Sequence, residues 1–192
     1  MKKYEWKLQD VIMVSLLCVV FGVVYLAAVY LAAFLRTVFT PFGLAPLANE
    51  LVFGIWLMAA TIAAYIIQKP TVAVIAEILA AVIEVMLGNW FGPMVIVAGF
   101  IQGLGAELVF AVYKYERFDM TTRLLAAAGS CITSFAWSFV RSGYGNYSLG
   151  LLVVFFIVRM ISTLIFAGVL SKTMGDGLAK TKLLKGYAIG RE

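Results

Sequence analysis

The segment from Thr71 to Leu87 is apolar except for its opening threonine and two acids, Glu77 and Glu84. As a helix it crosses a bilayer, or nearly so. Seven residues make about two helical turns, so both acids project from one face. A carboxylate in hydrocarbon costs several kcal/mol and is tolerated where it faces protein, water or a ligand. Such a chain must build a polar interior inside a membrane. The next stretch, Gly88-Asn89-Trp90-Phe91-Gly92-Pro93, is a short polar and aromatic turn. It places Glu84 about one helical turn, roughly 6 Å, below a membrane surface.

Similar runs recur to the end of the chain, which separates this pattern from a signal peptide. They span about Val11–Leu35, Leu47–Ile67, Thr71–Leu87, Pro93–Val112, Thr121–Val140 and Leu149–Leu170. Composition agrees: 64% of the 192 residues are hydrophobic and 13% are charged. The expectation is one all-α integral membrane unit of six transmembrane helices over residues 1–192. Cys18 and Cys131 lie inside apolar runs and read as packing residues rather than a disulfide or metal pair. There is no histidine, which removes the usual general base and the commonest metal ligand. No metal site, cofactor or nucleic-acid interface is expected, and the net charge of +5 is assigned to topology.

Charge sets the expected orientation. With a cytoplasmic N-terminus, twelve of the 15 Lys and Arg residues lie inside: Lys2, Lys3, Lys7, Lys69, Lys114, Arg117, Arg123, Lys172, Lys180, Lys182, Lys185 and Arg191. Arg36 and Arg141 lie in outer loops and Arg159 within the sixth span. The positive-inside rule then puts both termini in the cytoplasm. The outer side presents residues 36–50, 88–92 and 141–148, all rich in Gly, Asn, Pro or aromatic residues. That asymmetry points to an outward-facing cavity.

Several constellations carry alternatives. Glu84 lies at the depth of the outer loops, where it either contacts a ligand or pairs structurally. Glu77 and Arg159 share an estimated depth near the midplane and are expected to form a structural ion pair. Glu107 reads as a packing or coupling residue, and Glu50 as a favourable charge at a helix N-terminus. Trp90, Trp137, Tyr144 and Tyr147 fall near the outer surface, where an interfacial belt would also put them. With Asn49, Asn89 and Asn146 at the same level, they suit a flat, cationic, hydrogen-bonding ligand. Ala28 and Ala32, with Cys18 and Gly22, repeat a four-residue spacing of small side chains. Such spacing serves either packing within the chain or docking onto a separate membrane subunit. Gly103-Leu104-Gly105 follows no strand and has no Walker-type lysine, so energy for active transport must come from a separate ATPase or an ion gradient.

The stretches KYEWKLQDVIMVSLLCVVFG, ANELVFGIWLMAA, AEILAAVIEVMLGNWFGPMVIVAGFIQGLGAELVFA and SGYGNYSLG resemble the S-components of energy-coupling factor (ECF) vitamin transporters, of the YkoE-type thiamine/hydroxymethylpyrimidine family. The resemblance covers essentially the whole chain. It implies a six-helix, multi-pass protein of the cell membrane that is not itself an enzyme. It implies capture of thiamine or its hydroxymethylpyrimidine precursor from outside, between the outer halves of the helices. The implied partners are a transmembrane coupling protein and cytoplasmic ATPases. Glu84 would hold the cation or the aminopyrimidine edge, with Trp90, Trp137, Tyr144 and Tyr147 stacking or covering and Asn49, Asn89 and Asn146 as amide partners. The lack of histidine departs from any relative that uses one. The rivals are a stand-alone ion-coupled carrier with Glu77, Glu84 and Arg159 as its relay, an intramembrane enzyme, and a structural adaptor.

Overall fold

The computed structural model describes residues 5–181 and 184–190. Lys2, Lys3, Lys182 and Arg191, which enter the charge count, lie outside them. No strand occurs among the described residues. The helices are α1 (Leu8–Phe39), α2 (Leu47–Val52), α3 (Met58–Ile67), α4 (Val72–Met86), α5 (Met94–Val112), α6 (Met120–Arg141), α7 (Leu149–Thr163) and α8 (Ser171–Lys180). A 3-10 stretch, Phe53–Leu57, joins α2 to α3 as one interrupted rod, and a π-helical stretch, Leu164–Leu170, joins α7 to α8. The described residues form six helical rods of a multi-pass membrane protein. Five are long and apolar enough to cross a membrane. The exception is α4, with 15 residues, about 22 Å long against a hydrocarbon core of roughly 30 Å.

The sixth rod outlasts its apolar pattern. It was expected to end at Leu170, yet the helix continues as polar α8, which buries Ser171 and Gly175. There Asp176 accepts a hydrogen bond from Tyr65 Oη at 2.6 Å, tying α8 to α3. A hydrophobic run marks where lipid ends, not where backbone hydrogen bonding ends.

Helix α4 packs against both α1 and α5, and α5 packs on α6. Small residues make these approaches close. A Cβ on Gly103 would lie 2.8 Å from Val74 Cα on α4, and one on Gly105 would lie 2.6 Å from Gly129 O on α6. The small-residue face of α1 requires a correction. Cys18, Gly22, Ala28 and Ala32 are all buried within the chain, so they do not form a docking surface for a separate subunit. Cys18 Sγ donates to Ala76 O at 3.4 Å, and a Cβ on Gly22 would meet Ile83 at 2.5 Å. The groove exists, and at Cys18 and Gly22 it is α4 of the same chain that fills it.

An interrupted helix in a membrane must find new partners for its freed N–H groups. Three other helices supply them. Gly54 N donates to Ser162 Oγ at 3.0 Å. Ala59 N donates to Tyr25 Oη at 3.0 Å, and Ala60 N to Glu77 Oε2 at 2.9 Å. Glu107 does the same for α4, accepting from Thr71 N at 2.6 Å and Ala73 N at 3.1 Å. It is a helix cap supplied by α5, more specific than the packing role expected of it.

Candidate functional site

At the end of the bundle that carries the 88–92 turn, the helices diverge around a cavity of about 370 Å³. That is within the usual range for a small-molecule site, roughly 300–1,000 Å³. Each wall follows helical spacing. Helix α4 contributes Glu77, Ala81 and Glu84; α5 contributes Val95, Ala98 and Gln102; α6 contributes Ser134, Trp137, Ser138 and Arg141. The interrupted rod adds Asn49, Phe53 and Trp56, and the loop after α6 adds Tyr144 and Tyr147. A 3-10 stretch turns successive side chains by a different angle from an α-helix, and both Phe53 and Trp56 reach the cavity from it.

Glu84 is buried and held from one side. Its Oε1 accepts from Asn89 Nδ2 at 2.6 Å and from Trp56 Nε1 at 3.4 Å. Asn89 is itself fixed, its Oδ1 accepting from Phe91 N at 2.6 Å. Glu84 Oε2 has no hydrogen-bond partner among the described residues. One carboxylate oxygen therefore anchors the group.

Glu77 forms part of the same wall but is fully engaged. Its Oε1 accepts from Tyr25 Oη at 2.8 Å and its Oε2 from Ala60 N. Glu77 and Tyr25 thus cap the first turn of α3, where the helix dipole favours a negative charge.

The expected Glu77–Arg159 pair is not formed. Arg159 pairs instead with Glu50: Nε lies 2.5 Å from Oε2 and Nη2 lies 2.8 Å from Oε1. Both residues are buried. Depth along a span had matched Arg159 to Glu77. Lateral placement decides otherwise, because α7 packs against α2 while Glu77 faces α1 and α3. Tyr144 completes this cluster, its hydroxyl donating to Glu50 Oε1. The guanidinium also lies 3.8 Å from the centre of the Phe53 ring. Burial first, and then the charge of Glu50, raise the Tyr144 phenol pKa above its ordinary value.

The remaining expected residues divide. Asn49, Trp137, Tyr144 and Tyr147 line the cavity. Asn89 acts behind Glu84 rather than on the wall. Trp90 is not among the lining residues; it is 54% exposed and packs edge-on against Tyr30 of α1 at 5.2 Å. Asn146 is exposed on the loop and also lies off the wall. Gln102, Trp56, Ser134 and Ser138 were not anticipated. Gln102 is a polar residue within an apolar span, a signal that the sequence offers. Trp56 depends on the 3-10 stretch, which the hydropathy pattern does not reveal.

A family model described as the permease component of the ABC-type cobalt transport system matches residues 9–133. A Bacillus subtilis protein named as an HMP/thiamine permease, YkoE, is 41% identical over 188 residues, which cover 98% of this chain and 92% of that protein. The crystal structure of an S-component of an ECF transporter superposes with a TM-score of 0.92 at 41% identity, covering 97% of this chain and 92% of that one.

Proposed function

This chain belongs to the YkoE-type family of ECF-transporter S-components, and we propose that it captures thiamine or its hydroxymethylpyrimidine precursor from outside the cell for an ATP-driven importer. The observation that carries this reading is Glu84. A buried carboxylate with one anchored oxygen and one that has no partner among the described residues stands in a cavity lined by aromatic and amide side chains. Thiamine brings a permanent cation and an aminopyrimidine. A carboxylate complements both, and aromatic faces attract the cation. The name of the B. subtilis relative supports the same ligand class. The cobalt description of the family model fits this cavity less well. The chain has no histidine, and no group of three or more His, Cys, Asp or Glu side chains suited to hold a metal occurs among the described residues.

A coupling protein and separate ATPases supply the energy in this reading. The rival relay of Glu77, Glu84 and Arg159 loses its geometry, because Glu77 caps α3 and Arg159 is held by Glu50. The orientation proposed is that of the charge asymmetry, with both termini cytoplasmic and the cavity mouth outside.

Calorimetric titration of the purified protein with thiamine and with hydroxymethylpyrimidine tests the ligand. Saturable binding of either is expected, and binding of neither overturns the reading. Uptake in cells lacking ECF ATPases separates the carriers. It should vanish there, and persistent gradient-sensitive uptake would favour the stand-alone carrier.

A further inference from the structure

Four buried side-chain atoms lack a hydrogen-bond partner among the described residues: Glu84 Oε2, Trp137 Nε1, Arg123 Nη1 and Thr163 Oγ1. Two of them, one acceptor and one donor, belong to residues of the cavity wall. An indole N–H can only donate, and leaving it buried without an acceptor costs the full desolvation of that group.

We propose that Trp137 is a specificity-determining donor. Its N–H reads an unprotonated ring nitrogen of the ligand, while Glu84 Oε2 accepts from the ligand's exocyclic amine. The site then selects amino-substituted nitrogen heteroaromatics. This role goes beyond the stacking expected of Trp137 and rests on the aminopyrimidine reading above. A 4-oxo analogue inverts both groups: a carbonyl stands where Glu84 needs a donor, and a ring N–H where Trp137 needs an acceptor. Both protein groups are then left unpaired, the condition under which polar sites discriminate most strongly.

The test uses the full-length protein in detergent. Wild type and Trp137→Phe are titrated with thiamine, its 4-oxo analogue and the two analogues in which one pyrimidine nitrogen is replaced by CH. On wild type, the 4-oxo analogue should bind about a hundredfold more weakly or worse. One CH analogue should bind about tenfold more weakly than thiamine. Trp137→Phe should weaken thiamine about tenfold and leave that same CH analogue within about twofold of its wild-type value, the signature of a coupled pair. Equal weakening of every ligand by Trp137→Phe, or no weakening, overturns the proposal. So does a wild type that binds both CH analogues as tightly as thiamine, a measurement independent of how the variant folds. Thiamine binding without dependence on Trp137 sinks this inference alone. A wild type that binds none of these ligands sinks the aminopyrimidine reading and this inference with it.

Discussion

Glu77 and Glu84 sit two turns apart on one helix face, and their hydrogen-bond partners give them different tasks. Both oxygens of Glu77 accept from the protein. Glu84 keeps one oxygen without a partner among the described residues. Glu84→Gln keeps the shape and should lower thiamine affinity by about 2–3 kcal/mol, roughly 30- to 150-fold, with the fold intact. Glu77→Gln places an NH₂ against one of two donors, Tyr25 Oη or Ala60 N, and should cost about 1–3 kcal/mol of stability with a smaller change in affinity. Calorimetry and melting curves on both variants decide between these roles. Unchanged affinity in Glu84→Gln would leave it a structural acid. Arg159→Met strands Glu50 as an uncompensated buried charge and should destabilise by about 3–5 kcal/mol, read as a fall in melting temperature. Tyr144 adds a pH dependence to the same cluster. Its phenol pKa is raised above the ordinary value of 10.0, so its contribution is complete below that pH and is lost as pH rises through the raised value. The stability gap between wild type and Tyr144→Phe should be constant below pH 10 and change only above it.

At the scale of elements, the interrupted second rod organises the site. Its 3-10 stretch delivers Phe53 and Trp56 to the cavity, and its freed N–H groups draw Ser162, Tyr25 and Glu77 into fixed positions. Gly54 permits this crossing, because a Cβ there would lie 2.3 Å from Ser162 O. That contact is with backbone, which cannot rotate away. Gly54→Ala should therefore destabilise by about 1–3 kcal/mol and weaken ligand binding by displacing Trp56. The buried face of α1 predicts a related outcome. Ala28→Leu overfills the interior and should lower the melting temperature of the isolated protein. An Ala28→Leu variant that melts like wild type but fails to assemble with a coupling protein would restore the docking role.

For the whole molecule, capture from outside requires that the cavity end of the bundle face away from the cytoplasm. The cavity opens at the end that holds the 88–92 and 141–148 turns, and the opposite end holds Lys69, Lys114 and α8. With that end cytoplasmic, a cysteine placed at exposed Asn146 should react with an impermeant reagent in intact cells, and one at exposed Lys114 only after lysis. The reverse pattern would turn the cavity towards the cytoplasm and remove its role in capture.

How much of this was legible in the sequence depends on what each feature obeys. Hydropathy runs respond to the thickness of the bilayer, so the six rods and, apart from the polar extension of the sixth, their approximate limits follow from the chain itself. So does the burial of Glu84 near a polar turn, because an acid at that depth must face something polar. Tertiary structure alone decided the partner of Arg159. Spacing along a helix gives depth, whereas pairing depends on which helices are neighbours. It also decided that the small residues of α1 face inward, since an alanine stripe fits a helix of its own chain as well as a foreign one. The break at Phe53–Leu57 is silent in hydropathy because its residues stay apolar. Its freed N–H groups are met by two hydroxyls and one carboxylate of other helices, brought there by long-range packing.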